Sequence, residues 1–324
     1  MTAGASRLFA DLDVDVEPDA PLGRRTWFGI GGRADALVSP RSVESLQTLV
    51  ARCHRDGIEL RVLGEGANLL VADEGVGGVV VRLDAACFRE CALNRRGGVE
   101  AVRAMAGADL PKLILDSARI GLEGLEGLAG IPAAIGGAVR MTAGGAFGAI
   151  SDRLHAVAIV DRRGEVAIHP ASDLALGSRR CRLPGTVLLW AAFRLDEGDP
   201  VALRARVKEV FAYKRSTQPL ADHSAGCMFR NPEVELDGVR RGAGWLIDQA
   251  GLKGLSVGGA EVSRQHANFF TVRPGATASD LLELSSLVAS RVFDRFGVRI
   301  EREVVVWNRG EHETDQRIES ERGT

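Results

Sequence analysis

Aromatic residues are scarce in this chain of 324 residues: they make up 5%, with a single tyrosine, Tyr213. A platform for stacking single-stranded bases needs more. An excess of one charge is lacking too. The 41 basic and 43 acidic residues leave a net charge of −2, which provides no field to hold nucleic acid or an anionic membrane. No apolar run approaches the roughly 20 residues of a membrane helix. The start, MTAGASRLFADLDVDVEPD, is acidic early and has no apolar stretch of the secretory kind. The five cysteines, Cys53, Cys87, Cys91, Cys181 and Cys227, include no CxxC pair. That count and spacing read as reduced thiols of a cytoplasmic protein. Cys87 and Cys91 are four apart, but no second pair accompanies them, so no metal is expected.

Against these absences stands ordinary globular material, 45% hydrophobic and 26% charged, enough for one large or two medium domains. Strands are expected at 34–38, 59–63, 69–72, 78–83, 99–104, 154–160, 165–169, 186–195, 267–272 and 299–307. Helices are expected from a Ser42 cap to Arg55, from an Asp109 cap to Ile120, over Val201–Lys214 and over Gly242–Ala250. The clearest is Ala278–Phe296, with Thr277 and Asp280 as a capping box, Leu281, Leu284, Val288 and Val292 as an apolar stripe, and Gly297 as the stop. Strands grouped early, without regular alternation with helices, favour an α+β fold over a doubly wound sheet. The stretch Asp196–Pro200 reads as a joint between domains.

Glycine is the unusual count, 39 residues, and it is clustered. Gly64-Glu65-Gly66-Ala67-Asn68-Leu69-Leu70 follows a strand but is not the G-x-G-x-x-G of dinucleotide folds. The third glycine is replaced by Leu69, and no helix has room before Gly75. It is either a plain hairpin turn or a row of backbone N–H groups for a pyrophosphate. The stretches Gly127–Val139 and Ala143–Asp152 offer little side-chain volume. Either backbone packs on backbone there, or a flat ligand fills the space. Ser224-Ala225-Gly226-Cys227-Met228-Phe229-Arg230-Asn231-Pro232 gathers a thiol, a hydroxyl, an amide and a guanidinium. It is a polar surface loop or a proton-transfer and anion-binding site. Gly258–Asn268 contains His266, and of the alternating pair Glu301 and Glu303 one carboxylate should face inward.

Taken in order, these stretches resemble the UDP-N-acetylenolpyruvoylglucosamine reductase (MurB) family. Thr26–Asp35, Gly64–Leu70, Gly124–Pro132, Ser224–Pro232, Gly251–Gly254, Gly259–Asn268 and Phe296–Val298 with Glu303-Val304 carry the likeness. It implies a vanillyl-alcohol-oxidase-type FAD-binding domain, residues 1–198, followed by a smaller α+β substrate-binding domain, residues 199–309; the tail, 310–324, reads as disordered from its polar composition. It implies non-covalent FAD, NADPH as electron donor, a UDP-sugar substrate, and a cytoplasmic monomer. Hydride would reach C3 of the enolpyruvyl group and a protein acid would protonate C2, giving UDP-N-acetylmuramate.

By the same resemblance, Cys227 stands at the position of the acid, where many members carry serine. A thiol, with its usual pKa of about 8.5, is the better acid of the two. Arg179 and Glu303 match the pair that polarises the substrate carboxylate, the arginine through its planar fork. Gly64, Glu65, Gly66, Ala67, Asn68, Leu69, Gly130, Ile131, Gly136, Gly137, Gly148 and Ile150 would line the FAD. Asn231, Gln218, Lys214 and His266 would contact substrate. Departures are Ser178 for a tyrosine, Thr142 for an asparagine and Lys214 for an arginine. The adjacent Arg180 leaves the position of the active arginine open by one. Oxidases of sugars or alcohols share this fold, as would a non-catalytic flavin binder. The second-domain motifs distinguish the reductase from the oxidases.

Overall fold

The computed structural model describes residues 8–177, 180–182, 185–219, 223–236 and 238–310. These form two compact units that alternate along the sequence. The first takes the chain through Asp19, Asp35–Glu65 and Gly78–Lys214; the second takes Ala20–Ala34, Gly66–Gly77 and the chain from Arg215. This differs from a single cut after residue 198. Leu203, Val207 and Val210 are buried in the first core, while Phe28 and Leu70 are buried in the second. Of the tail expected to be disordered, 311–324 lies outside the described residues.

The first unit is built on two sheets. One has four strands in the order Val14–Pro21, Arg33–Pro40, Val76–Val81, Leu60–Val62. The other is antiparallel and runs Val166–Pro170, Leu154–Val160, Val187–Glu197, Gly98–Met105, Cys91–Leu93, with Leu122–Glu123 paired to the end of Val187–Glu197. Helix α1, Val43–Arg55, starts where the Ser42 hydroxyl accepts the Ser45 N–H, and it buries Leu46, Leu49, Val50 and Cys53. Helix α2, Leu110–Ile120, starts on the Asp109 carboxylate and ends at Gly121 with φ of +81°. A six-residue helix, α3, Ile135–Arg140, lies in the small-residue stretch that showed no period, and α4 covers Pro200–Thr217.

The second unit packs α5, Ala243–Gln249, and α6, Ala278–Phe296, with a small antiparallel sheet of Ser256–Val257, Ala260–Val262 and Phe270–Val272. The α6 stripe is as expected: Leu281, Leu284, Val288 and Val292 are fully buried, and each stabilises by about 1.5–3 kcal/mol relative to exposure. The capping box of Thr277 and Asp280 is present. Asp73 adds a second cap, accepting the N–H groups of Ala278 at 2.8 Å and Ser279 at 3.0 Å.

Two strands are shorter than their patterns. The alternation over 299–307 becomes a strand only at Val305–Trp307, parallel to Leu69–Val71. The segment changes partner midway: the Arg230 N–H donates to the Glu301 carbonyl, and Arg302 bridges Phe229. The strand expected over 267–272 is Phe270–Val272, because the preceding residues close a turn in which the Ser263 N–H donates to the Phe269 carbonyl at 2.8 Å.

Candidate active site

Within the second unit, three stretches far apart in sequence meet. The Glu303 N–H donates to the Met228 carbonyl at 2.7 Å, so Glu303 stands beside the segment that begins with Cys227. Asn68 ties the glycine turn to the same place: its Nδ2 donates to the Glu303 carbonyl at 3.2 Å, and its own carbonyl accepts the Val305 N–H at 3.1 Å. A Cβ placed on Gly226 would lie 4.0 Å from the Ala67 carbonyl. The turn, the thiol loop and the glutamate are thus neighbours. Cys227 and Glu303 are both half-buried, open enough to meet a ligand and sheltered enough for charge to matter. Glu301, the other member of the alternating pair, keeps 63% of its side chain exposed. Ser224, three residues before the thiol, is buried, and its hydroxyl has no partner among the described residues.

Asn268 holds this arrangement and was not singled out by sequence. It is 2% exposed. Its carbonyl accepts the Met228 N–H at 2.7 Å, its Oδ1 accepts the Phe229 N–H at 2.9 Å, and its Nδ2 donates to the Phe229 carbonyl at 2.7 Å. No local pattern marks such a residue, because its partners lie 39 positions away.

The remaining candidates divide. Asn231 is exposed; its Oδ1 accepts the Ala243 N–H at the start of α5, and its Nδ2 has no partner among the described residues. His266 is half-buried, its Nδ1 accepts the Asn268 N–H at 3.2 Å, and its ring meets Phe269 edge-on. Burial holds its pKa below the usual value, and the nearby Lys253 acts the same way. With Nδ1 accepting, the neutral ring would carry its proton on Nε2. The Gln218 carbonyl accepts a bond from Gln265, which ties it to the same turn as His266. Lys214 belongs to the first unit and is buried, with Nζ donating to the Ala129 carbonyl at 2.7 Å. Arg179 and Ser178 lie outside the described residues, as do the side chains of Arg180 and Cys181.

The comparisons with known proteins agree with one another. A family model for the C-terminal domain of UDP-N-acetylenolpyruvoylglucosamine reductase matches residues 218–307, and one for an FAD binding domain matches 34–168. A reductase of that name from Desulfosudis oleivorans is 40% identical over 299 residues, covering 90% of this chain and 94% of the relative. One from Rubrobacter xylanophilus is 42% identical over 291 residues, covering 89% and 94%. The chain belongs to the UDP-N-acetylenolpyruvoylglucosamine reductase family. The crystal structure of a reductase from Thermus caldophilus is 36% identical, with a TM-score of 0.75 over 92% of this chain and all of that one. The shared architecture is a vanillyl-alcohol-oxidase-type FAD-binding domain followed by the reductase C-terminal domain.

FAD is the cofactor of this reductase family, and the chain fits it at several of the expected positions. The backbone N–H groups of Gly64, Glu65, Gly66, Ala67 and Asn68 have no partner among the described residues. Gly66 has φ of +65°, and a Cβ there would strike the Arg25 carbonyl at 2.4 Å, so only glycine makes this turn. A row of unused N–H groups suits a pyrophosphate. In α3 a Cβ on Gly137 would meet nothing within 4 Å, which leaves an open face.

Other expected positions take part in packing. At Gly136 the absent side chain faces Ala106, 3.1 Å away, and its N–H donates to the Ala106 carbonyl. Gly130 packs on Lys214 and Phe211. Ile150 is core: it is 1% exposed and its N–H donates to the Ala143 carbonyl. The Ile131 N–H turns back to the Leu128 carbonyl, and Gly148, at φ of +125°, lies beside the Asp152 carboxylate. At Gly130 and Gly136 the space a side chain would take is already filled by protein atoms.

Proposed function

We propose that Cys227 protonates C2 of the enolpyruvyl group while Glu303 and Arg179 hold the substrate carboxylate. The chain is an FAD-dependent oxidoreductase that reduces UDP-N-acetylglucosamine enolpyruvate to UDP-N-acetylmuramate in peptidoglycan synthesis. FAD, held at the backbone N–H groups of the turn 64–68, would supply the hydride chemistry at C3, with NADPH as the source of electrons. The protein's share is the second hydrogen, delivered to C2 as a proton, which completes the two-electron reduction. Charge that develops at C2 spreads into the adjoining carboxylate. Groups aimed there lower the barrier, and removing one such contact typically costs 10²–10³-fold in rate, about 3–4 kcal/mol.

The observation that supports this reading is the single backbone bond from Glu303 to Met228. It puts the proposed donor and the proposed carboxylate partner on adjoining segments, next to a turn whose N–H groups are unused. Asn231, with its Nδ2 available, is proposed as a substrate ligand together with Gln218 and His266. Lys214 is proposed as a further substrate ligand; its buried Nζ donates to the Ala129 carbonyl in the second glycine cluster. The described residues include no helix long and apolar enough to cross a membrane. We place the protein in the cytoplasm as a monomer.

Anaerobic flavin spectroscopy tests the function. NADPH should bleach the bound flavin, and the enolpyruvyl UDP-sugar should restore its colour with formation of the lactyl ether. Restoration by oxygen alone, with no effect of the sugar, would favour an oxidase on the same fold.

A further inference from the structure

We propose that Asn268 is the positioning residue of the proton-transfer step, fixing Cys227 and Glu303 through one shared segment. The proposal rests on the roles given above to those two residues. The geometry is specific. Residues 227–230 run like a strand with a partner on each side. On one side the Glu303 N–H donates to the Met228 carbonyl, and the Arg230 N–H donates to the Glu301 carbonyl. On the other side the neighbour is the turn 263–269, which has no extended backbone to offer at that point. The Asn268 side chain supplies it. Its amide presents an acceptor to the Phe229 N–H and a donor to the Phe229 carbonyl, at 2.9 and 2.7 Å, as the backbone of a strand residue would. Its own carbonyl takes the Met228 N–H, and Cys227 bridges Phe269, the next residue of the turn.

Both polar atoms of the amide are used, on a side chain that is itself shut off from water. Only an amide of this length meets both demands. Aspartate of equal size loses the donor and sets a carboxylate against the Phe229 carbonyl. Alanine leaves a buried N–H and a buried carbonyl without partners. In either case Phe229 loses one or both side-chain bonds, while the Met228 N–H keeps the backbone carbonyl of residue 268; the segment that carries the thiol and whose Met228 carbonyl holds Glu303 is then fixed less firmly. A displacement of about 1 Å at a reacting group costs about 10²-fold in rate.

The test compares half-reactions in the holoenzyme. Asn268→Asp and Asn268→Ala should reduce their flavin with NADPH at the wild-type rate. Reoxidation by the enolpyruvyl UDP-sugar should slow about 10²-fold, with the loss in kcat and little change in KM. Asn268→Ala added to Cys227→Ala should slow reoxidation far less than it does in the wild type, because the group it positions is already gone. Aspartate keeps the volume, so it answers the question if the alanine variant does not fold. Wild-type reoxidation in the aspartate variant would overturn the proposal. So would equal slowing of both half-reactions, or full additivity with Cys227→Ala, since each marks a role in the fold alone. If Cys227→Ala by itself reoxidises normally, the donor assignment fails; Asn268 is then judged by its effect in a Glu303→Gln background, where additivity would overturn it.

Discussion

Gly136 and Gly137 are adjacent, yet the structure gives them opposite work, and that difference can be measured. At Gly136 a side chain has no room: its Cβ would sit 3.1 Å from the Ala106 Cβ and 3.2 Å from the Ala106 carbonyl oxygen. Gly136→Val forces two further methyl groups into that contact. Overpacking of this kind costs about 1–3 kcal/mol, which lowers the melting temperature by roughly 2–4 °C per kcal/mol in a domain of this size. At Gly137 a Cβ meets nothing within 4 Å. Gly137→Val removes a residue about 1 kcal/mol worse than alanine in a helix and replaces it with one somewhat less unfavourable. The apoprotein should therefore melt at the wild-type temperature or slightly above it. If the open face of α3 receives FAD, the new side chain occupies the ligand's space, and affinity should fall at least tenfold, about 1.4 kcal/mol.

The assays are the melting temperature of the flavin-free protein and an FAD titration followed by flavin fluorescence. The expected pattern is a stability loss without specific flavin loss at Gly136, and a flavin loss without stability loss at Gly137. A Gly137→Val protein that binds FAD at wild-type affinity would refute the placement of the cofactor at α3.

Three further outcomes are expected. Glu303→Gln should keep FAD and its reduction by NADPH but slow reoxidation by the sugar 10²–10³-fold, read in the same anaerobic assay. Asp73→Ala should destabilise the second unit by about 0.5–1 kcal/mol, the low range for an exposed cap, as measured by urea unfolding. Burial raises the Asp73 pKa, but the bonds from Ala278 and Ser279 outweigh it and hold the carboxyl below its usual value. Its contribution should thus be complete above a pH of about 4 and be lost as pH falls through the folded value, so wild type and variant converge in acid. Alkylation should inactivate sugar-dependent turnover, with substrate protecting. Cys53 will not interfere, since burial and then Asp56 push its thiol up to about 12. Exposed Cys91 should react without loss of activity, and Cys227→Ser should resist inactivation.

The fold was legible where one segment contains its own instructions. Helices α1, α2 and α6 each have a side-chain cap, an apolar stripe and a stop within their own residues. The strand Val14–Pro21 was missed because it lies at a sheet edge: half of its residues are exposed, and its acids and prolines suit an edge while hiding the alternation. Helix α3 was missed because Ile135-Gly136-Gly137-Ala138 has too little side-chain volume to show a period. The thiol loop, the glycine turn and Glu303 were found by motif, but what joins them was not. Asn68, Asp73 and Asn268 act on partners 235, 205 and 39 positions away, and residues at such separations leave no periodic trace.

Cys227 carries the central claim, and stopped-flow reoxidation of the pre-reduced flavin by the enolpyruvyl UDP-sugar tests it most directly. Cys227→Ala should be reduced by NADPH as fast as wild type, then reoxidise at least 10²-fold more slowly with the sugar, while Cys227→Ser recovers a substantial part of the rate. Wild-type reoxidation in Cys227→Ala would contradict the account and direct the search for the donor to Ser224, whose buried hydroxyl has no partner among the described residues.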